Sequence, residues 1–145
     1  MIEVSKAKGS YIYDHKNKRY LDFVAGVSAC SVGHCNKEVI NAIKDQSEMY
    51  MHVMVYGEFV TKPSLELAKL LAKNLPNRLN CTYFTNSGTE ELEGAMKLAR
   101  RFTGRKKIIA AKNAYHGSTM GALTLMGLEE RKKPFAPLIP EVDFI

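Results

Sequence analysis

The stretch Tyr83-Phe-Thr-Asn-Ser-Gly-Thr-Glu90 decides the fold, because an apolar run ends there and a helical pattern begins directly behind it. The residues before the turn, Cys81–Thr85, are typical of a short strand. Behind the turn, apolar residues recur at helical spacing as far as Phe102, and Gly104 suits the C-terminal cap of that helix. The stretch therefore predicts a strand, a tight turn and a helix in direct succession.

The same alternation continues toward the end of the sequence. Lys107–Ala111 is apolar on both faces, as expected of a strand that helices cover on both sides. Ser118–Met126 is typical of a further helix, and Pro134–Ile145 runs apolar toward another strand. Strands and helices that alternate at this spacing predict a parallel sheet. Two strands are too few to complete such a sheet, so we expect the sequence to stop within a domain.

The first part of the chain has a different pattern. Tyr11–Phe23 predicts a β-hairpin, and the small residues of Ala25–Cys35 predict an irregular segment. Asn36 can cap the helix that follows it. A later helix begins near Thr61 and must stop before Pro76, because the residue before a proline is driven out of the α region.

The turn around Ser87 has the features of an anion site. A glycine lets the backbone come close, the new helix points free N–H groups and its positive end at one spot, and Ser87 and Thr89 add hydroxyls. A capping box, with Ser87 at the cap and Glu90 three residues on, explains the same letters without any ligand. The local pattern leaves both interpretations open.

Composition excludes several classes of function. Apolar residues make up 46% and charged residues 25% of the 145 residues, which is ordinary for a globular protein. The net charge of +6 comes from scattered basic residues with no interleaved aromatics, so no nucleic-acid surface is expected. No apolar stretch reaches the roughly 20 residues that span a bilayer, and no secretory signal is visible, so no membrane association is expected.

The cysteines indicate neither a disulfide framework nor a metal site. An odd number, three, without paired short spacings fits a reducing, cytoplasmic setting. Cys30, His34 and Cys35 match no familiar zinc spacing, so no metal is expected.

Three motifs in order resemble the class III aminotransferases, which depend on pyridoxal phosphate. These are Asp14 to His34, Asn86 to Arg100, and Tyr115-His-Gly-Ser-Thr119. The resemblance implies an α/β fold, namely the N-terminal part of a pyridoxal-phosphate-dependent transferase of fold type I. It implies a small N-terminal α+β segment with its connection over residues 1–60. The first, incomplete part of the cofactor-binding domain would follow over 61–145, with a mainly parallel sheet and flanking helices.

The resemblance also implies roles for the matching positions. Ser87, Gly88 and Thr89 would hold the cofactor phosphate, Tyr115 would stack on the pyridine ring, and His116 would lie beside it. Such stacking is physically reasonable for two flat rings. The alternatives are structural: Tyr115 as a core aromatic and His116 as a loop histidine bonded to backbone.

Two further positions would belong to the substrate side. Val27 falls in the region that faces the substrate in this family, and Tyr56 lies in the connection that lines the entrance. Packing of the small domain is the alternative for Val27. No other substrate residue is assigned.

The sequence departs from the family pattern at a few positions. Asn17 stands where glycine is usual, Asn36-Lys37 stand where the family has His-Pro, and Glu91 replaces a small residue just inside the helix. Glu91 adds negative charge near the expected phosphate contacts, which lowers the expected affinity for the cofactor.

No catalytic residue is assigned. The resemblance implies that the Schiff-base lysine and the aspartate that pairs with the pyridine nitrogen lie beyond Ile145. Lys97 and Lys112 sit in no motif that resembles the catalytic lysine. We therefore expect the 145-residue chain to be inactive and poorly stable alone.

The expected activity of the longer protein is transamination. An amino acid such as acetylornithine, ornithine or 4-aminobutyrate would donate the amino group, and 2-oxoglutarate would accept it, within a homodimer. A pyridoxal-phosphate-dependent aminomutase and a non-catalytic phosphate- or cofactor-binding module are the alternatives.

Overall fold

The computed structural model describes residues 1–54 and 56–145 and divides the chain into two compact units, Met1–Lys62 and Pro63–Ile145. The assignment of these units to the small and large domains of the family stays a prediction. Within the part of the chain that is described, no helix is long and apolar enough to cross a membrane.

The first unit opens with a 3-stranded antiparallel sheet of order β1-β2-β3. The strands are β1 (Val4–Lys8), β2 (Tyr11–Asp14) and β3 (Arg19–Leu21). The predicted hairpin is confirmed, with Asn17 in its turn at a φ of 60°. Strand β1 was not predicted, because its residues are polar and mostly exposed and carry no alternating apolar pattern.

A left-handed turn follows the hairpin in the segment predicted to be irregular. The short helical segment α1 (Ala25–Ser28) has positive φ at every position, including 57° at Val27. A β-branched residue avoids this conformation, which costs roughly 1–2 kcal/mol per residue. Asp22 holds the turn, because its Oδ1 accepts hydrogen bonds from the backbone N–H groups of Val24 at 3.1 Å and Ala25 at 2.9 Å.

The carboxylate of Asp22 is itself fixed by a histidine. Its Oδ2 lies 2.6 Å from Nε2 of His34, and both side chains are largely buried. His34 is anchored in turn by a backbone bridge to Gly9 of the β1–β2 connection. The hairpin, the left-handed turn and the Gly33-His34 segment are thus joined around one carboxylate.

Two of the predicted helices are confirmed. Helix α2 (Lys37–Met49) is capped by Asn36, whose side chain accepts from the N–H groups of Glu38 and Val39. Helix α3 (Lys62–Asn74) ends before Pro76. Neither helix has a fully buried residue: Ile40 and Leu71 are half-buried, and Ile43 is exposed.

The second unit packs helices on a parallel pair of strands. Its small core consists of Met96, Ala110 and Leu125, with partly buried neighbours such as Ile108 and Val142 around it. Strands β4 and β5 pair in parallel, with Ile108 opposite Val142. The elements in chain order are α4 (Gly88–Thr103), β4 (Ile108–Ala110), α5 (Met120–Leu125), α6 (Glu129–Lys132), a 3-10 turn (Lys133–Phe135) and β5 (Val142–Phe144).

The strand predicted at Cys81–Thr85 is wrong. The segment is irregular, and the side chain of Tyr83 is 85% exposed. A strand exists only by hydrogen bonding to a neighbour, and among the described residues the parallel ladder joins β4 to β5 instead. The expectation of parallel strands is confirmed, but for a different pair.

The expected cover on both faces of β4 is also wrong for the described residues. Ile108 and Ala110 point into the core, whereas Ile109 between them is 62% exposed. Alternate residues of a strand point to opposite faces, so only one face of β4 is packed.

We predict that Asp22→Asn lowers the stability of the first unit and removes part of its acid sensitivity. The hydrogen bonds from His34 and then from Ala25 hold the pKa of Asp22 below its ordinary value of 3.8. A carboxyl whose pKa is depressed by folding stabilises the protein above its ordinary pKa, and this contribution is lost as the pH falls through the folded value.

The measurement is the thermal midpoint against pH, followed by tyrosine fluorescence, for the unsubstituted protein and for Asp22→Asn. The exposed Asp45 provides the matched control as Asp45→Asn. Equal midpoints at neutral pH for both variants would show that Asp22 does not hold the turn.

Candidate functional site

The phosphate turn, residues 87–89, is built by the cap of helix α4. Ser87 is the N-cap with extended backbone, and its Oγ accepts from the N–H of Glu90 at 3.4 Å. Glu90 turns back, so that its Oε2 accepts from the N–H of Asn86 at 2.8 Å. The capping interpretation is therefore confirmed, but it does not exclude a ligand. The hydroxyl proton of Ser87 is still available, and the first N–H groups of a helix have no acceptor within it.

Thr89 joins the phosphate turn to the second motif. Its Oγ1 lies 2.7 Å from Oγ1 of Thr119, thirty residues further along the chain. The backbone N–H of Thr119 also approaches the same oxygen, at 3.4 Å. The segment Tyr115–Thr119, hereafter the aromatic loop, is thus held beside the start of α4.

This approach requires a glycine at position 117. A Cβ on Gly117 would lie 2.6 Å from Cβ of Thr89, and the backbone has a φ of 118° that side chains rarely adopt. The glycine of the second motif therefore serves a close contact with the first motif.

The carboxylate of Glu93, which the sequence analysis did not single out, forms another contact between α4 and this part of the chain. Oε1 of Glu93 accepts from the N–H of Gly121 at 2.8 Å. The hydrogen bond from the Thr119 side chain, followed by the N–H groups of Gly121 and Ala122, lowers the pKa of Glu93. The spacing gave a usable signal, because a residue four after Thr89 lies on the same face of the helix.

The structure leaves Tyr115 accessible on the aromatic loop. Its side chain is 58% exposed, and the guanidinium carbon of Arg131 lies 5.8 Å from the ring centroid. The ring is therefore not a core aromatic within the second unit. It lines a cavity of about 420 Å³ together with Ser118, Met120, Leu123, Met126, Arg131 and Phe135.

The start of the aromatic loop is fixed from the other side by Gly127. Its N–H donates to the carbonyl of Ala114 at 3.0 Å, and a Cβ there would lie 2.6 Å from the carbonyl oxygen of Ala111. The half-buried His116 lies between this anchor and Gly117. The start of the loop is therefore held by a backbone contact and its end by the hydroxyl of Thr89.

The proposed substrate residues lie in the first unit. The side chains of Val27 and Tyr56 are 87% and 89% exposed, and Val27 stands on the left-handed turn. Neither packs the core of its unit, and their role toward a substrate stays a prediction.

The side chains of Lys97 and Lys112 are both exposed. Lys97 lines a groove of about 680 Å³ on another part of α4, beside Tyr83. Among residues 1–54 and 56–145, no group of three His, Cys, Asp or Glu could hold a metal ion. His34 is committed to Asp22.

The phosphate turn suits a phosphate group chemically. Gly88 has no heavy atom within 4 Å of its Cβ direction, so the start of α4 is open. The carboxylates of Glu90 and Glu93 are engaged with the N–H groups of Asn86 and Gly121. The backbone donors and the positive end of a 16-residue helix remain for an anion.

We predict that Gly117→Ala destabilises the second unit by about 1–3 kcal/mol, because the methyl group collides with Thr89 and the positive φ disfavours a side chain. Gly88→Ala is the matched control. Its methyl meets no neighbour, so stability should change by less than about 1 kcal/mol. Urea unfolding measures both, and equal effects would argue against the close contact.

The chain is similar to known proteins over nearly its whole length. The family model of the class III aminotransferases matches residues 1–145. Acetylornithine aminotransferase of Archaeoglobus fulgidus is 41% identical over 143 residues, which cover 99% of this chain and 37% of that protein. The acetylornithine aminotransferase of Methanopyrus kandleri is 41% identical over 144 residues, with 99% and 36% covered. The chain thus spans little more than a third of the length of these relatives.

Solved structures show the same fold. An (S)-enantioselective omega-transaminase from Thermomicrobium roseum superposes with a TM-score of 0.92 at 32% identity, covering 100% of this chain and 34% of that one. The adenosylmethionine-8-amino-7-oxononanoate aminotransferase of Methanocaldococcus jannaschii gives 0.91 at 32% identity, covering 99% and 34%. With the phosphate turn and aromatic loop in contact as described, the chain belongs to the class III aminotransferases, a family of enzymes that depend on pyridoxal phosphate.

Proposed function

We propose that the protein carrying this chain is a transaminase that uses pyridoxal phosphate, and that this chain supplies the phosphate end of the cofactor site. The observation that supports this most directly is the contact of Thr89 with Thr119 and Gly117. It places hydroxyls, free backbone donors and an accessible aromatic ring on adjoining segments of the second unit.

The phosphate turn would bind the anion. The N–H groups of Gly88 and Thr89 and the hydroxyl of Ser87 would donate hydrogen bonds, and the helix dipole would favour the negative charge. Glu91 stands in the same first helical turn and opposes this attraction, so the affinity for phosphate is set by two contributions of opposite sign.

The aromatic loop would bind the ring of the cofactor. Tyr115 would pack on its flat face, and His116 would lie beside it. When bound, the cofactor supplies an electron sink that stabilises negative charge on the carbon next to the transferred amino group. Burial of the ring against Tyr115 would exclude water from one face of it.

The lysine that binds the cofactor and the aspartate that pairs with its ring nitrogen would come from the part of the relatives' length that this chain does not span. Lys97 and Lys112 are not proposed for the role of that lysine, since Lys97 lines a groove with Tyr83 and Lys112 is exposed just after β4.

The amino donor is proposed from the relatives. Two of them are acetylornithine aminotransferases at 41% identity, and a Sulfolobus acidocaldarius protein at 37% is named a [LysW]-aminoadipate semialdehyde/glutamate semialdehyde transaminase. An amino-acid derivative with an ω-amino group, such as acetylornithine, ornithine or 4-aminobutyrate, would be the donor and 2-oxoglutarate the acceptor. Val27 and Tyr56 would shape the donor side of the pocket. A cytoplasmic homodimer is part of the same proposal.

The proposal is tested on the protein that carries this chain. It should bind pyridoxal phosphate more tightly than pyridoxal, absorb in the visible range when loaded, and lose that absorption when acetylornithine is added. Addition of 2-oxoglutarate should restore it. Equal affinity for pyridoxal would count against the phosphate turn, and no spectral change with any ω-amino donor would count against the proposed donor class.

We further predict that Ser87→Ala weakens the binding of pyridoxal phosphate roughly ten- to a hundredfold, because a hydroxyl that donates to the charged phosphate is lost. The binding of pyridoxal should change less. Thr103→Val removes a hydroxyl from the other end of the same helix and serves as the control. Fluorescence titration measures the affinities, and a loss of the same size for pyridoxal would place Ser87 away from the phosphate.

A further inference from the structure

We propose that Glu93 is a positioning residue, whose carboxylate holds the aromatic loop and the first turn of α5 against Thr89 and so fixes Tyr115 relative to the phosphate turn. This inference rests on the proposed function, because the placement of Tyr115 relative to the phosphate turn matters only if both bind the cofactor.

The face of helix α4 that meets the aromatic loop carries two polar side chains. Thr89 and Glu93 are four residues apart, so they lie one above the other on the helix. Thr89 reaches Oγ1 of Thr119 at 2.7 Å, and Glu93 reaches the N–H of Gly121 at 2.8 Å. A single contact would let the loop pivot, whereas two contacts one helical turn apart define its orientation.

Two glycines make both contacts possible. A Cβ on Gly117 would lie 2.6 Å from Cβ of Thr89, and a Cβ on Gly121 would lie 2.6 Å from Oε1 of Glu93. The backbone therefore passes directly over each of the two side chains. Because the backbone lies this close to both side chains, the position of the loop depends on the position of α4.

The carboxylate is electrostatically suited to this place. Helix α5 is buried from Gly121 to Leu125, so its first N–H groups need acceptors from the protein. A negative charge at the start of a helix is favourable, and the lowered pKa of Glu93 reflects the hydrogen bonds from Thr119, Gly121 and Ala122. These contacts favour the ionised carboxylate, whose Oε1 accepts from the N–H of Gly121.

A helix cap alone would not reach Tyr115. What distinguishes Glu93 is that Gly121, whose N–H it accepts from, lies two residues after Thr119, whose hydroxyl contacts Thr89. Loss of the carboxylate should therefore loosen the Thr119 end of the aromatic loop and, through the loop, the position of Tyr115. A role restricted to the cap of α5 would change stability and leave the stacking geometry of Tyr115 unaltered.

The first experiment compares Glu93→Gln with Glu91→Gln in the protein that carries this chain. Both variants remove one negative charge from the first half of α4, and charge alone would tighten phosphate binding in both. If Glu93 is a positioning residue, Glu93→Gln should instead weaken the binding of pyridoxal phosphate roughly tenfold, whereas Glu91→Gln should not weaken it. Equal or tighter binding in both variants would overturn the inference.

Two further readouts separate positioning from simple destabilisation. Amide hydrogen exchange without cofactor should speed up at Gly121 and Ala122 in Glu93→Gln and stay unchanged in Glu91→Gln. The circular dichroism induced in the bound cofactor should also change in Glu93→Gln, since it reports how the ring sits on Tyr115. Unchanged exchange and unchanged dichroism would refute the inference.

Failure of the proposed function and failure of this inference give different experimental results. If the unsubstituted protein binds no pyridoxal phosphate, the proposed function fails, while hydrogen exchange still decides whether Glu93 holds the loop. If Glu93→Gln does not fold, Thr119→Val replaces it, since this variant removes the shared hydroxyl and keeps the backbone donors. It should alter the dichroism in the same direction, and an unaltered signal would contradict the inference.

Discussion

The hydrogen bond between the hydroxyls of Thr89 and Thr119 is the contact on which the candidate site depends. It joins residues thirty positions apart at 2.7 Å, and it closes only because Gly117 brings no side chain to the same place. Without it, the phosphate turn and the aromatic loop would be two separate motifs. With it, donors for an anion and an accessible ring belong to one local structure.

Both units use a carboxylate to hold an irregular backbone segment. Asp22 binds the N–H groups at the start of a left-handed turn and is fixed by His34. Glu93 binds the N–H of Gly121 beside Thr119. In each case the charged oxygen replaces the hydrogen bonds that a regular helix or sheet would give, so a segment with unusual conformation is held in one place.

The cap of α4 and an anion site are compatible rather than competing interpretations. Ser87 uses a lone pair for the N–H of Glu90, and Glu90 is turned onto Asn86. The donors at Gly88 and Thr89 are left for a ligand, because a cap satisfies only part of the N–H groups at a helix end. The letters of a capping box therefore cannot by themselves decide whether a helix binds an anion.

The sequence by itself determined helices α2 to α5, the hairpin, the caps at Asn36 and Ser87 and the family, because these depend on local periodicity, capping chemistry and motif order. Only the tertiary structure decided that β4 pairs with β5 rather than with Cys81–Thr85, since a strand exists through its neighbour. It also revealed the contact of Glu93 with Gly121: the spacing from Thr89 places Glu93 on one face of α4, but it does not identify a partner twenty-eight residues away.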